Sequence, residues 1–93
     1  MQIGEIVYSI RGRDAERYFV VIDIYERFVY ICDGKVRLLE KPKRKNIAHI
    51  KSTNQIDYII KKKLQQKVLN NRELRDILRD FGINKPSFES KEV

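Results

Sequence analysis

Apolar positions follow two different periods along this chain, and the change falls at Ser52. Before it, short runs of β-branched and aromatic residues alternate with turn-forming stretches, which predicts strands. Glu5–Ile10 is the first and ends at Arg11-Gly12-Arg13-Asp14, where Gly12 allows a positive φ. Arg17–Tyr25 contains Tyr18-Phe19-Val20-Val21-Ile22-Asp23-Ile24, the composition of a half-buried strand, and Phe28–Cys32 is a third. Asp33-Gly34 is a tight-hairpin dipeptide, so Val36–Leu39 is expected to pair back as a fourth strand until Pro42 stops it. Ile47–Ile50 supplies a last short strand or turn. Five short strands in about fifty residues predict a small, strongly bent barrel rather than a flat sheet.

After Ser52 the period is helical. Ser52-Thr53-Asn54-Gln55 has the form of a capping box. Ile56, Ile59, Ile60 and Leu64 then share one helical face. Asn70 caps a second helix with Glu73 at its third position, and Leu74, Ile77, Leu78 and Phe81 form its apolar stripe. Gly82 stands where a left-handed C-cap favours glycine, Ile83 can make the accompanying apolar contact, and Pro86 blocks continuation. Helices this short are marginal alone in water, so their stripes must dock on the barrel, on each other or on a partner. The expected organisation is a barrel over residues 1–51, a helical extension over 52–83 and a flexible tail over 84–93.

Composition narrows the class. With 93 residues, 42% hydrophobic and 35% charged, the chain can bury one modest core but not two. No run of 18 apolar residues occurs, which excludes a spanning helix. Met1-Gln2-Ile3-Gly4-Glu5 lacks the basic-then-apolar order of a signal peptide. Cys32 is the single thiol, so neither an internal disulfide nor a cysteine metal cluster is available, and a core position in a cytoplasmic protein is expected.

Charge changes the picture further. The net charge is +7, yet residues 1–34 are net negative, while residues 35–51 carry seven basic side chains against one acidic, Glu40. This concentration around Lys41-Pro42-Lys43-Arg44-Lys45 predicts a polyanionic partner, nucleic acid before membrane. Lys61-Lys62-Lys63 adjoins an aliphatic face without Trp or Phe, which suits packing on protein better than on lipid, so no membrane partner is expected.

Catalysis finds little to work with. His49 is the only histidine, and no HExxH, paired CxxC or phosphate-cradling glycine loop occurs. A non-enzymatic protein without cofactor, metal or small-molecule substrate is therefore expected. Arg11, Arg13 and Arg17 flank the Gly12 turn and can fork onto phosphates. Lys41, Lys43, Arg44 and Lys45 form a dense cationic loop suited to a phosphate backbone, with His49 at its edge. Tyr8, Tyr18, Phe19, Tyr25, Phe28 and Tyr30 interleave with these charges. Phe19 and Phe28 are expected in the core, leaving Tyr8, Tyr18 or Tyr30 as candidates to stack on an unpaired base.

The run Gly4-Glu5-Ile6-Val7-Tyr8-Ser9-Ile10-Arg11-Gly12-Arg13-Asp14-Ala15, followed by Phe19-Val20-Val21-Ile22-Asp23-Ile24, resembles the KOW motif. The resemblance is to archaeal and eukaryotic large-subunit ribosomal proteins and to small bacterial KOW-domain RNA-binding proteins. Lys41-Pro42-Lys43-Arg44-Lys45-Asn46-Ile47-Ala48-His49-Ile50 is similar to the basic closing segment of that group. Together they cover roughly residues 3–52 and imply an SH3-like barrel that binds ribosomal or other structured RNA through its loops. Members usually carry a second glycine four residues after the Gly12 position, where this chain has Glu16. An acidic side chain there shifts the expected contact towards Lys43, Arg44 and Lys45.

The expectation is thus a mainly β protein with two C-terminal helices, ribosome-associated, binding RNA and first of all ribosomal RNA. A second expectation is a protein-interaction adaptor. It would dock a ribosomal or transcription protein through the barrel or the Ile56/Ile59/Ile60/Leu64 stripe, and such docking would survive salt that phosphate contacts do not.

Overall fold

The computed structural model describes residues 1–13 and 15–84. Five strands form one antiparallel sheet: β1 Glu5–Ser9, β2 Tyr18–Tyr25, β3 Phe28–Cys32, β4 Lys43–Asn46 and β5 Ile50–Ile56. Their order is β4-β3-β2-β1-β5. Two helices follow, α1 Tyr58–Gln65 and α2 Asn71–Asn84. Among the described residues no helix is long and apolar enough to cross a membrane.

The sheet cannot be flat. β1 pairs with the first part of β2 (Tyr8 opposite Tyr18), while β3 pairs onward to its end (Phe28 opposite Tyr25). Laid flat, Asn46 and Ile50 would therefore lie at opposite corners, four strand spacings or roughly 19 Å apart across the sheet and most of the length of β2 apart along it. Four chain steps reach at most about 14 Å, and Ile47–His49 is wound into a 3-10 turn that is shorter still. The corners must meet, so the sheet curls. The Ile47 N–H bonds the Arg27 carbonyl at 2.8 Å and the Ile10 N–H bonds the His49 carbonyl at 3.0 Å, pinning the turn to both corners. No β4–β5 ladder closes the curl into a barrel among the described residues. Register shifts at Ile22 in β2 and at Thr53-Asn54 in β5 supply the bends.

Curling separates two cores. Val7, Phe19, Val21, Val29, Ile31 and Ile50 fill the inner face. Ile6, Val20 and Cys32 point outward onto Ile60 of α1 and Leu74 and Leu78 of α2. The middle of β2 is thus buried on both faces rather than half-buried, which accounts for its unbroken apolar run. Ile60 is fully buried and Leu64 packs beside it, whereas Ile59 stays 61% exposed, so the α1 stripe docks mainly on its own sheet.

Several local expectations give way to side-chain hydrogen bonds. Val36–Leu39 is not a strand. The Asp33 carboxylate accepts the N–H groups of Lys35, Val36 and Arg37 at 2.9–3.0 Å, which holds the chain in a loop instead of releasing it into a hairpin. Gly34, at φ +78, is required for another reason: a Cβ there would overlap the Asn71 carbonyl at the start of α2. Asn71 also accepts from the Leu39 N–H at 2.8 Å and donates to Glu40 at 2.6 Å, lashing the loop to the helix. The partner of β3 is therefore Lys43–Asn46, and Pro42 precedes a strand rather than ending one.

Ser52–Gln55 caps nothing. These residues belong to β5, where the Thr53 hydroxyl bonds the Ile6 carbonyl at 2.7 Å and the Ser52 hydroxyl bonds Glu5. Asp57 caps α1 by accepting the Ile60 N–H, so the helical part begins there and not at Ser52. Asn70 does cap α2, accepting from Glu73 at 2.8 Å. Gly82 lies inside α2, which continues to Asn84, so it makes no C-cap. The Ile83 side chain, Pro86 and the expected tail beyond Asn84 fall outside the described residues, as does Asp14.

Replacing Asp33 by Ala should lower stability by about 2–3 kcal/mol, because three N–H groups lose a charged acceptor. Asp33→Asn, which keeps one acceptor oxygen, should cost less. Urea denaturation of the two variants checks this; equal and small losses would contradict it.

Candidate nucleic-acid interface

The basic run does not form a loop. Lys43-Arg44-Lys45 is the exposed edge of the sheet, and strand alternation sorts its side chains. Lys43 and Lys45 stand opposite Ile31 and Val29 and so share the inner face, while Arg44 stands opposite Tyr30 on the outer one. Charged residues on an edge strand also block pairing with a second sheet.

Lys45, expected among the phosphate contacts, is only 8% exposed. Its ammonium donates to the Arg11 carbonyl at 2.6 Å, which also accepts from the Ser9 hydroxyl at 3.1 Å. A buried ammonium needs such acceptors, and here the acceptor lies across the mouth of the curl. Gly12, at φ +84, lets the backbone lie close against the lysine tip. Lys45 is thus a latch that ties the β1–β2 loop to β4. Its consequence for the surface is direct: the exposed Arg11 is tied to a basic edge strand whose Lys45 lies 34 positions further along the chain, and the exposed Arg13 follows on the same loop.

Two open grooves hold most of the remaining candidates. One, of about 560 Å³, is lined by Val36, Arg37, Leu38, Lys41, Pro42, Lys43 and Arg44. It brings Lys41, Lys43 and Arg44 together with Arg37. The other, of about 330 Å³, is lined by Arg17, Tyr18, Asp33, Lys35, Arg75, Leu78 and Arg79. Arg17 therefore does not join Arg11 and Arg13 but faces a separate groove against α2. Arg79 there is shared with Asp76 at 3.2 Å, and Arg75 reaches the Gly34 carbonyl at 3.4 Å. His49 is half-buried in the 3-10 turn, at the corner the Lys45 latch helps to close.

Sequence reasoning missed Lys35, Arg37, Arg75 and Arg79 as groove residues. Arg72, Arg75 and Arg79 recur at helical spacing opposite the apolar stripe, a signal that could have been read. Lys35 and Arg37 could not, because their placement depends on the Asp33 loop.

Titratable chemistry is sparse at these surfaces. Among the described residues no three His, Cys, Asp or Glu side chains converge as metal ligands would. The Asn71 amide holds the Glu40 carboxyl below its usual range. Cys32 is fully buried, and its burial, followed by the nearby Asp33 and Glu40 charges, pushes the thiol up from about 9 to about 12. A scan against protein-family models finds no match for the chain, and a search of curated proteins finds no relative.

Two outcomes follow. Lys45→Ala should cost about 2 kcal/mol through lost stem packing and a charged hydrogen bond, whereas Lys43→Ala should cost under about 0.5 kcal/mol; thermal melts distinguish them, and equal shifts would remove the latch. For Cys32, the raised folded-state value keeps the thiol protonated at pH 8, so iodoacetamide should modify it only as fast as the protein opens. As pH rises from about 9 towards about 12, the unfolded chain alone loses this proton, so the Cys32 contribution to stability should fall. Rapid alkylation of the native protein at pH 8 would contradict both.

Proposed function

We propose that this chain is a non-enzymatic, ribosome-associated RNA-binding protein of the KOW type. Its curled sheet is an SH3-like barrel whose basic edge grips the phosphates of structured RNA, ribosomal RNA first. One observation carries the reading: the Lys45–Arg11 hydrogen bond brings two basic segments, distant in sequence, to one edge of the sheet. The latch ties the loop that carries Arg11 and Arg13 to the strand whose Lys43 and Arg44 line a groove with Arg37 and Lys41. Separate cations on long arms contribute little individually, whereas a row of them fits a polyanion and releases its counterions together.

The backbone supports the resemblance at Glu16, a position where the sequence departs from it. Glu16 has φ +67, in the left-handed region that glycine occupies without penalty, and its N–H bonds the Ser9 carbonyl at 2.8 Å. The geometry that a glycine would satisfy is therefore retained although the residue has changed. Glu16 is exposed, so its charge adjoins the loop without filling it.

Fluorescence anisotropy against a structured ribosomal RNA fragment and a DNA duplex of equal length, at low and near-physiological salt, tests the proposal. The RNA should bind more tightly than the duplex. An Arg11/Arg13/Lys41/Arg44→Ala variant should bind more weakly, with a salt slope shallower by about 3. Equal binding of both nucleic acids, unchanged in the variant, would overturn it. Co-sedimentation with ribosomes then checks the association.

A further inference from the structure

The outer face of the sheet is covered by the helices only in part. Helix packing reaches Cys32 and Ile22, whereas Tyr25, Phe28 and Tyr30 do not belong, among the described residues, to the cluster the helices bury. The register aligns side chains on one face: Tyr25 opposite Phe28, and Asp23 opposite Tyr30, which in turn faces Arg44. Tyr25 is 65% exposed, and the Arg44 guanidinium lies 4.7 Å from the centroid of the Phe28 ring. Tyr8 and Tyr18, by contrast, pack against each other at a tilt of 55°, and Tyr18 meets Phe81 edge-to-face at 78°, with centroids 5.2 Å apart in each case.

Resting on the RNA-binding reading, we infer that Tyr25, Phe28 and Tyr30, with Arg44, form a stacking platform for unpaired RNA bases. Tyr25 is exposed and Phe28 and Tyr30 are half-buried on the adjoining strand, so part of each ring meets water at a cost. A base offers them a flat apolar surface without needing a complementary backbone edge. Arg44 decides the occupant. It lines the basic groove and also lies over the platform, so phosphates held in the groove place the adjoining bases on the rings. Asp23, whose carboxylate accepts its neighbour's N–H at 2.9 Å, lies in the same cross-strand row as Arg44 but two strands away, so the negative charge stands on the other side of Tyr30 from the groove residue, where base edges rather than phosphates belong. The preferred RNA is then one with unpaired bases, a loop or bulge, because a duplex buries the faces that would stack.

A nine-nucleotide single-stranded RNA carrying 2-aminopurine, and the same sequence as a duplex, separate the possibilities. The wild type should prefer the single strand and quench its fluorescence. Tyr25→Ala combined with Phe28→Leu should lose about fivefold or more in single-strand affinity with an unchanged salt slope. Tyr25→Phe should behave as wild type. Tyr25→Ala alone, at an exposed position, keeps the test valid if Phe28→Leu loosens the sheet. Single strand and duplex bound alike, with the ring variants unaffected but Lys41→Ala weakened, would overturn the platform while leaving the basic groove. The same face would then be open to a protein partner. RNA bound in neither form would take away both readings.

Discussion

A 3-10 turn too short to span a flat sheet governs this molecule. Because Ile47–His49 must join the end of β4 to the start of β5, the five strands have to curl until opposite corners meet. That curl creates an inner face that must be apolar and an outer face large enough to need helices. It also turns the basic edge strand towards the β1–β2 loop, where Lys45 finds its acceptor. The cationic surface is thus a consequence of the way the sheet closes on itself.

The electrostatics follow the same geometry. A run of three basic residues in a strand cannot all face one partner, since alternate side chains point to opposite faces. Lys45 turns inward and becomes structural, Lys43 lines the groove from the inner side, and Arg44 remains outside. Charge that looks uniform along the chain therefore divides into a latch, a groove wall and a contact residue. Arg17 is separated from Arg11 and Arg13 because it faces the groove against α2 instead.

Much of the fold could be read from residues alone. The first three strands, the burial of Cys32 and Phe19, and the Asn70 cap all rest on local signals: β-branched runs, apolar alternation and a side-chain acceptor at the right offset. The failures share a cause. Asp33-Gly34 resembles a hairpin until the carboxylate is seen collecting three N–H groups, and Ser52-Thr53-Asn54-Gln55 resembles a cap until Thr53 bonds a neighbouring strand. In both places one polar side chain chose between partners close in sequence and partners distant in it. Phe28, expected in the core, instead lies half-buried beneath Arg44, because alternation with the inward Val29 and Ile31 puts it on the outer face. For the site, residue types were legible and their grouping was not, since grouping depends on the Lys45 latch and on α2.

Hydrogen–deuterium exchange of the protein with and without the structured ribosomal RNA fragment measures that grouping directly. The account predicts that RNA slows exchange in two segments at once, the Arg11–Arg13 loop and the Lys41–Arg44 edge, with the apolar middle of β2 unchanged. Protection confined to one of the two segments, or found only along α2, would contradict it.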